Sequence, residues 1–457
     1  MESTKLPEPQ SRPPVALFWS TSLGTLAGGM NSTIVSTVLP AMVGYFHVSY
    51  DLGQWLVSIY TLVLAVLVLP VGRLSDLVGH LRVFRWGVLG FGAASLAAGM
   101  ATNFPLLLAV RAVQAVGGAM VMTAVPALLS VVYPPEQRGR VLGLYAMNVY
   151  IGYSLGPLIG GALVHATSWR AVFLLNLPLA GVAWWWSGKT IPPRVTRRVA
   201  LDWLGATLFS LAMAALLVAV GQTAEAPLAW RLSLLGLAAA MGTAFVAVER
   251  KATHPMLALS LLRHRTVALG SLAVLCNYTA MFFFYLLVPL WLNQVGHLPL
   301  NWVGLMVTAT PVTMVVVSRL SGQWSDRVGT RTPMALGLAL LAVGLGWIGH
   351  DSPLPWWNLL PAFVLVGVGI GLFTAPAQSA VLGATPRPQQ GMTSGLLGTV
   401  RYGGQALGTT LAAAIFSAAL AVTHTLASAF IPTMSLGALV ALAGAWAAWA
   451  SQAPRRA

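Results

Sequence analysis

Acidic side chains are scarce in this chain. Asp and Glu together number 10 in 457 residues, charged residues of both signs make up 8%, and there is one cysteine, Cys276. A soluble domain carries about 25% charged residues, so a water-facing surface of ordinary composition is excluded. A single cysteine excludes an intrachain disulfide framework and a cysteine-built metal site. The opening stretch "MESTKLPEPQSRPP" has neither the basic-then-apolar design nor the small-residue cleavage pattern of a secretory leader. The first apolar run is therefore expected to remain as an uncleaved span.

What the chain has in quantity is apolar surface, with 57% hydrophobic residues. Apolar runs of about 20 residues, long enough to cross a hydrocarbon core of ~30 Å, recur from end to end with short polar breaks. Fourteen such runs are expected, the first over Val15–Val43 and the last over Ala429–Ala450. The predicted class is an all-α integral membrane protein. With the N-terminus on the cytoplasmic side, all but three of the 25 Lys and Arg fall in cytoplasmic segments, the distribution that positive-inside retention produces. The exceptions are Arg170 and Arg231, placed outside, and Arg111, placed within a span. The expected location is the cell membrane, multi-pass, with both termini cytoplasmic. The net charge of +15 is thereby assigned to an anionic leaflet and not to nucleic acid.

The chain repeats itself. "GRLSDLVGHLR" (Gly72–Arg82) and "GQWSDRVGTR" (Gly322–Arg331) share G-x-x-S-D-x-x-G, and each follows the second span of a six-span set. Two six-helix bundles with two helices inserted between them are implied, a construction used by many secondary carriers. The predicted division is a tail over 1–14, bundles over 15–187 and 267–450, a basic loop with the inserted helices over 188–266, and a tail over 451–457.

With these loops stand "RAVQAVGGAM" from Arg111, "GLYAMNVYIGYSLGPLIGG" from Gly143, "SWRAVFLLNLPL" from Ser168 and "GMTSGLLGTVRYGGQALG" from Gly391. In this order the motifs resemble the major facilitator superfamily, specifically its fourteen-helix drug:proton antiporter branch, over nearly the whole chain. The resemblance implies the major facilitator fold, export of a small amphipathic substrate by alternating access, coupling to protons, contact with membrane lipid, no enzymatic reaction and no cofactor. By the same resemblance Gly72, Asp76, Gly79 and Arg82, with Gly322, Asp326, Arg327, Gly329 and Arg331, form cytoplasmic latch loops. The first copy has Leu77 where the family usually has Arg. Gly143, Gly152, Gly156, Pro157, Gly160 and Gly161 match the antiporter motif that marks exporters. The spacing of 152, 156 and 160 puts three glycines on one face, where they permit close helix contact, and Pro157 is expected to kink the helix.

Arg111 is the one charge the sequence places deep in a span, where an Arg costs about 2.5–3.5 kcal/mol and must face the interior. Gln114 lies one turn on. The family's first helix usually carries Asp where this chain has "NSTIVSTVLP", with Asn31. Counted at ~1.5 Å per residue, Asn31 and Arg111 reach similar depths. All ten acids fall in tails, loops or span ends and the eight histidines near interfaces, so Arg111 has no fixed counter-ion; its partner is Asn31 with Gln114, a bound anion, or the substrate. Further coupling or substrate candidates are Tyr60, Asn148, Asn277, Tyr278, Phe283, Tyr285, Phe373 and Gln378, which offer aromatic faces with polar handles. A rival reading is export or flipping of an anionic or lipid-like substrate; an uptake facilitator or a non-transporting receptor fits less well.

Overall fold

The computed structural model describes residues 15–133, 135–189, 202–221, 227–252, 259–350, 356–385 and 390–451. The predicted tail over 1–14, nearly all of that over 451–457, and the loop at 190–201 lie outside them. Among the described residues the regular structure is helical: α1 (Val15–Phe46), α2 (Tyr50–Val78), α3 (His80–Gly99), α4 (Phe104–Val132), α5 (Pro135–Ala166), α6 (Arg170–Leu174), α7 (Asn176–Ser187), α8 (Trp203–Val220), α9 (Leu228–Lys251), α10 (Arg265–Gln294), α11 (Leu300–Val328), α12 (Arg331–His350), α13 (Leu360–Gly383), α14 (Gln390–Thr423) and α15 (Leu426–Ala450), with two short 3-10 turns.

Local chemistry sets the helix ends. Ser49, Asn103, Asp202 and Thr425 each cap a helix by accepting a backbone N–H three residues on, which satisfies donors the helix itself leaves unpaired. The apolar run from Ala171 to Trp186, one of the fourteen expected spans, is broken at Leu175 into α6 and α7. Pro178, three residues later, has no N–H for the Leu174 carbonyl and its ring crowds that group. Among the described residues twelve helices are long and apolar enough to cross a membrane; α3 and the divided α6–α7 are the pieces that do not meet both conditions.

The sequence repeat is also a repeat of backbone geometry. Gly79 and Gly329 both take positive φ, at 103° and 85°, and each donates its N–H to a serine carbonyl one turn back, Ser75 and Ser325. Glycine reaches this region without steric cost. At the opposite helix ends the positive-φ turn residues are histidines, His47, His297 and His424.

Packing follows the same repeat. α1 packs on α5 and α7, α2 on α4, and α3 on α4 and α7; correspondingly α10 packs on α14 and α15, α11 on α13, and α12 on α13 and α15. The two groups meet where α5 lies against α11, α2 against α14, and α1 against α10. α1 and α10 are the most enclosed, each 89% buried over its apolar core, whereas α9 is 17% buried and rests mainly on α8. α8 lies over the line where α2 meets α14, touching both.

Candidate functional site

Arg111 is 1% exposed, and the groups around it come from α1, α2, α6 and its own helix α4. Its Nε donates to the Leu56 carbonyl of α2 at 3.2 Å. Its Nη1 donates to Asn31 Oδ1 of α1 at 3.2 Å and to Gln114 Oε1 on its own helix at 2.6 Å. Gln114 Nε2 in turn donates to Ser95 Oγ of α3 at 2.7 Å. The guanidinium lies over the Tyr60 ring, 4.5 Å from its centroid, with Phe173 of α6 at 5.8 Å. Neutral oxygens and aromatic faces thus hold the charge where a carboxylate would be the ordinary partner. The Tyr60 hydroxyl is buried beside the cation with the Asn31 side chain as its hydrogen-bonding neighbour.

Asn31, Tyr60, Arg111 and Gln114 are therefore brought together. Asn148 is not among them: its Nδ2 donates to Ser22 Oγ at 2.9 Å and ties α5 to α1. Tyr278 and Tyr285 of α10 face α5. The Tyr278 and Tyr150 hydroxyls lie 3.3 Å apart, and the Tyr285 ring stands 6.0 Å from that of Tyr153. Asn277 is fully buried with both amide atoms unpartnered. Phe283 turns instead toward α15, where it sits against Gly437. Phe373 is buried in α13 and Gln378 is half-buried.

Arg401, which the positive-inside distribution places in a cytoplasmic segment, stands within helix α14 and is half-buried. The hydropathy pattern starts the corresponding span at Gly403, but α14 begins at Gln390, which puts Arg401 about 16 Å along the helix. Its Nη2 donates to Tyr402 Oη at 2.8 Å and to Tyr145 Oη of α5 at 3.3 Å. Tyr145 also donates to the Met122 carbonyl. Tyr145, Tyr150 and Tyr153 were not singled out from the sequence, although they alternate with the α5 glycines in "GLYAMNVYIGYSLG". Six tyrosines, 145, 150, 153, 278, 285 and 402, are buried around the region where the two helix groups meet.

The α5 glycines carry the closest approaches. A Cβ at Gly152 would lie 2.7 Å from the Leu26 carbonyl oxygen and one at Gly156 2.8 Å from that of Met30, both on α1. One at Gly161 would collide with the Leu300 carbonyl on α11, and Gly304 of α11 has the same relation to the Pro157 carbonyl. Gly143 lies earlier in α5. In the repeated loops, Asp76 pairs with Arg73 on its own helix at 3.8 Å. Gly72 abuts Thr123 of α4, Arg82 reaches back to the Val78 carbonyl, and the Arg331 guanidinium lies over Trp449 at 4.0 Å. Gly322 has open space beside it, and Asp326 and Arg327 are exposed.

The model of the Major Facilitator Superfamily matches residues 21–409 and 270–457. The multidrug resistance protein Stp of Mycobacterium tuberculosis (strain CDC 1551 / Oshkosh) is 30% identical over 409 residues, covering 88% of this chain and 75% of that protein. The tetracenomycin C resistance and export protein of Streptomyces glaucescens is 31% identical over 417 residues, 86% of this chain and 74% of its own length. The riboflavin transporter RibZ of Clostridioides difficile (strain 630) is 27% identical over 405 residues, 87% of each chain. A multi-pass helical membrane chain with a twice-used loop, a buried Arg111 and a half-buried Arg401 among its helices, matched from Thr21 to its end, belongs to the major facilitator superfamily of transporters.

Proposed function

We propose that this chain is a secondary exporter of small amphipathic compounds in the cell membrane, with fourteen crossings and both termini cytoplasmic. The halves over 15–187 and 267–450 rock about the enclosed helices α1 and α10, the segment over 188–266 supplies the two inserted helices, and protons drive the cycle. The repeated Asp76 and Asp326 loops act as latches on the cytoplasmic face. The observation that carries this reading is the glycine face of α5, pressed against α1 on one side and α11 on the other. A helix seated largely by close backbone contact has few side chains to disengage when it tilts, chiefly the Asn148–Ser22, Thr33–Tyr153 and Thr308–Ser154 hydrogen bonds. The names of the relatives, which include multidrug resistance and antibiotic export, agree with an outward direction.

A second reading concerns the charge of the substrate. Arg111 and Arg401 lie among the helices with neutral partners in the hydrogen bonds described, and no Asp or Glu side chain takes part in either cluster. Two cations in a low-dielectric interior favour an anionic or hydroxyl-rich aromatic compound over a cation.

Flux into proteoliposomes, under separately imposed pH and voltage gradients, tests both. Accumulation of an amphiphile driven by the pH gradient is expected, with anions ahead of cations of equal size. Flux that ignores both gradients would remove the exporter reading, and preference for the cation would remove the second.

A further inference from the structure

One side of α3 stays uncovered from end to end. Arg82, Trp86, Leu89, Leu96 and Met100 are all exposed, and steps of three, four or seven residues put them on one face of the helix. The order along that face is cation, indole, aliphatic. It is also the order of headgroup, interface and acyl chain in a phospholipid leaflet, where cations reach for phosphates and indoles sit at the boundary.

The neighbouring helix adds to the charged end. Arg85 Cζ lies 5.1 Å from the ring centroid of Trp184 in α7, and Lys189 Nζ, just past the end of α7, lies 3.7 Å from that of Trp185. A Cβ at Gly188 would lie 3.5 Å from Arg85 Nη2, so the guanidinium reaches the residue next to Lys189. Stacking uses the face of a guanidinium and leaves its N–H edge for an acceptor, which a phosphate fits bidentately. Arg85 Nε is enclosed with no hydrogen-bond partner. The Asp76 carboxylate of the adjoining loop is paired with Arg73, so Arg82, Arg85 and Lys189 have no acid against them among the described residues.

We infer that this α3–α7 edge binds the headgroup of one anionic phospholipid. Its phosphodiester accepts from the Arg85 guanidinium and the Lys189 ammonium, Arg82 stands one turn away, and the chains run along the uncovered face over 89–100. Three cations against one phosphodiester select a lipid whose headgroup brings no ammonium of its own, phosphatidylglycerol over phosphatidylcholine. A free phosphate ester meets the same cations but gains nothing from the aliphatic face. The site needs only a helix edge open to lipid, and it is independent of the direction of transport, of proton coupling and of Arg111.

The test is native mass spectrometry of the full-length chain in detergent, titrated with phosphatidylglycerol or phosphatidylcholine of identical chains. The first phosphatidylglycerol is expected to be retained at severalfold lower concentration than the first phosphatidylcholine. Arg85→Gln with Lys189→Gln should weaken that first binding by about tenfold, since each cation near an anionic headgroup contributes to it. The same charge loss at the end of α9, Arg250→Gln with Lys251→Gln, should leave it nearly unchanged. Lys189→Gln alone touches an exposed residue beyond the packed part of α7 and should weaken binding severalfold; it decides the matter should the double variant fail to fold. Free sn-glycerol 3-phosphate should not displace the lipid. Equal retention of the two lipids, equal weakening by the two double variants, no effect of Lys189→Gln, or displacement by glycerol phosphate would overturn the proposal. No flux is measured, so failure of the exporter reading would not register as failure here.

Discussion

Arg111 Nη1 donates to Asn31 Oδ1 at 3.2 Å, joining α4 to α1 at a depth reached by no acidic residue of either helix. The bond is to a neutral amide, so the guanidinium keeps its charge for whatever comes next to it. Asn31→Ala removes one acceptor from a charged donor. Double-mutant cycles on side-chain hydrogen bonds inside membranes average about 0.6 kcal/mol, and a loss of about 1 kcal/mol in thermal stability is expected. Asn31→Asp places an opposite charge at the same atom. Lipophilic-anion transport should fall severalfold and cation transport rise, measured as uptake into inverted vesicles. Unchanged selectivity would separate Asn31 from substrate choice.

Gly156→Leu drives a branched side chain into Thr33 and the Met30 carbonyl of α1. Overpacking costs about 1–3 kcal/mol when side chains can yield, and here one of the obstacles is backbone. The variant should insert and express while losing most flux. A well-expressed variant with full flux would show that α5 does not move against α1 during transport.

Arg401 and Tyr145 supply a cross-group contact that can be measured by itself. Arg401→Gln and Tyr145→Phe should each reduce transport of an anionic aromatic compound, and the double variant should lose less than the two combined, because both remove one interaction. Additive losses would mean that the 3.3 Å contact has no part in the cycle.

Sidedness follows from the two kinds of turn. In a Cys276→Ala background, Arg327→Cys beside Gly329 and His297→Cys at the opposite helix ends should label from opposite faces, with Arg327→Cys cytoplasmic. Labelling of both from one side would overturn the proposed orientation.

His80 opens α3 at the loop end, outside the proposed crossing of that helix, with Nδ1 2.7 Å from Ser75 Oγ. Burial holds its pKa below the ordinary 6.5, against a smaller opposing pull from Asp76. A His whose folded pKa is depressed contributes stability that is complete above the unfolded value. That contribution begins to be lost as pH falls below about 6.5 and is gone once pH passes the lower folded value. His80→Gln should flatten this acid limb of detergent stability. An identical pH profile in the variant would show that the limb belongs to another group.

Much of this was legible because membrane helices advertise their length and the repeat advertises its own turns. Gly79 and Gly329 are readable as glycines that must turn, and Arg111, Gln114 and Asn31 as polar groups of matching depth. Arg401 escaped because helicity does not stop where hydropathy does: α14 runs 13 residues before Gly403, through polar positions that one-dimensional windows treat as loop. Phe283 and Tyr285 could not be told apart in an unbroken aromatic run, since azimuth is set by neighbours the sequence does not name. Ser95 carried no signal, being one small polar residue in an apolar helix, yet it completes the hydrogen bonding of Gln114.

The place of α8 has a consequence for how a molecule comes in from the side. The two helix groups share two long seams, α2 with α14 and α5 with α11, and α8 lies over the first, with Ser210 Oγ donating to the Val66 carbonyl and Gly221 beside Thr410. A third helix therefore bars lateral approach along that flank. The α5 and α11 flank has no such cover among the described residues; close backbone approaches and the Thr308 hydroxyl on the Ser154 carbonyl join the two helices there. The fold is thus lopsided toward its surroundings even where its two groups mirror each other, and any sideways doorway that opens as they part faces a single direction.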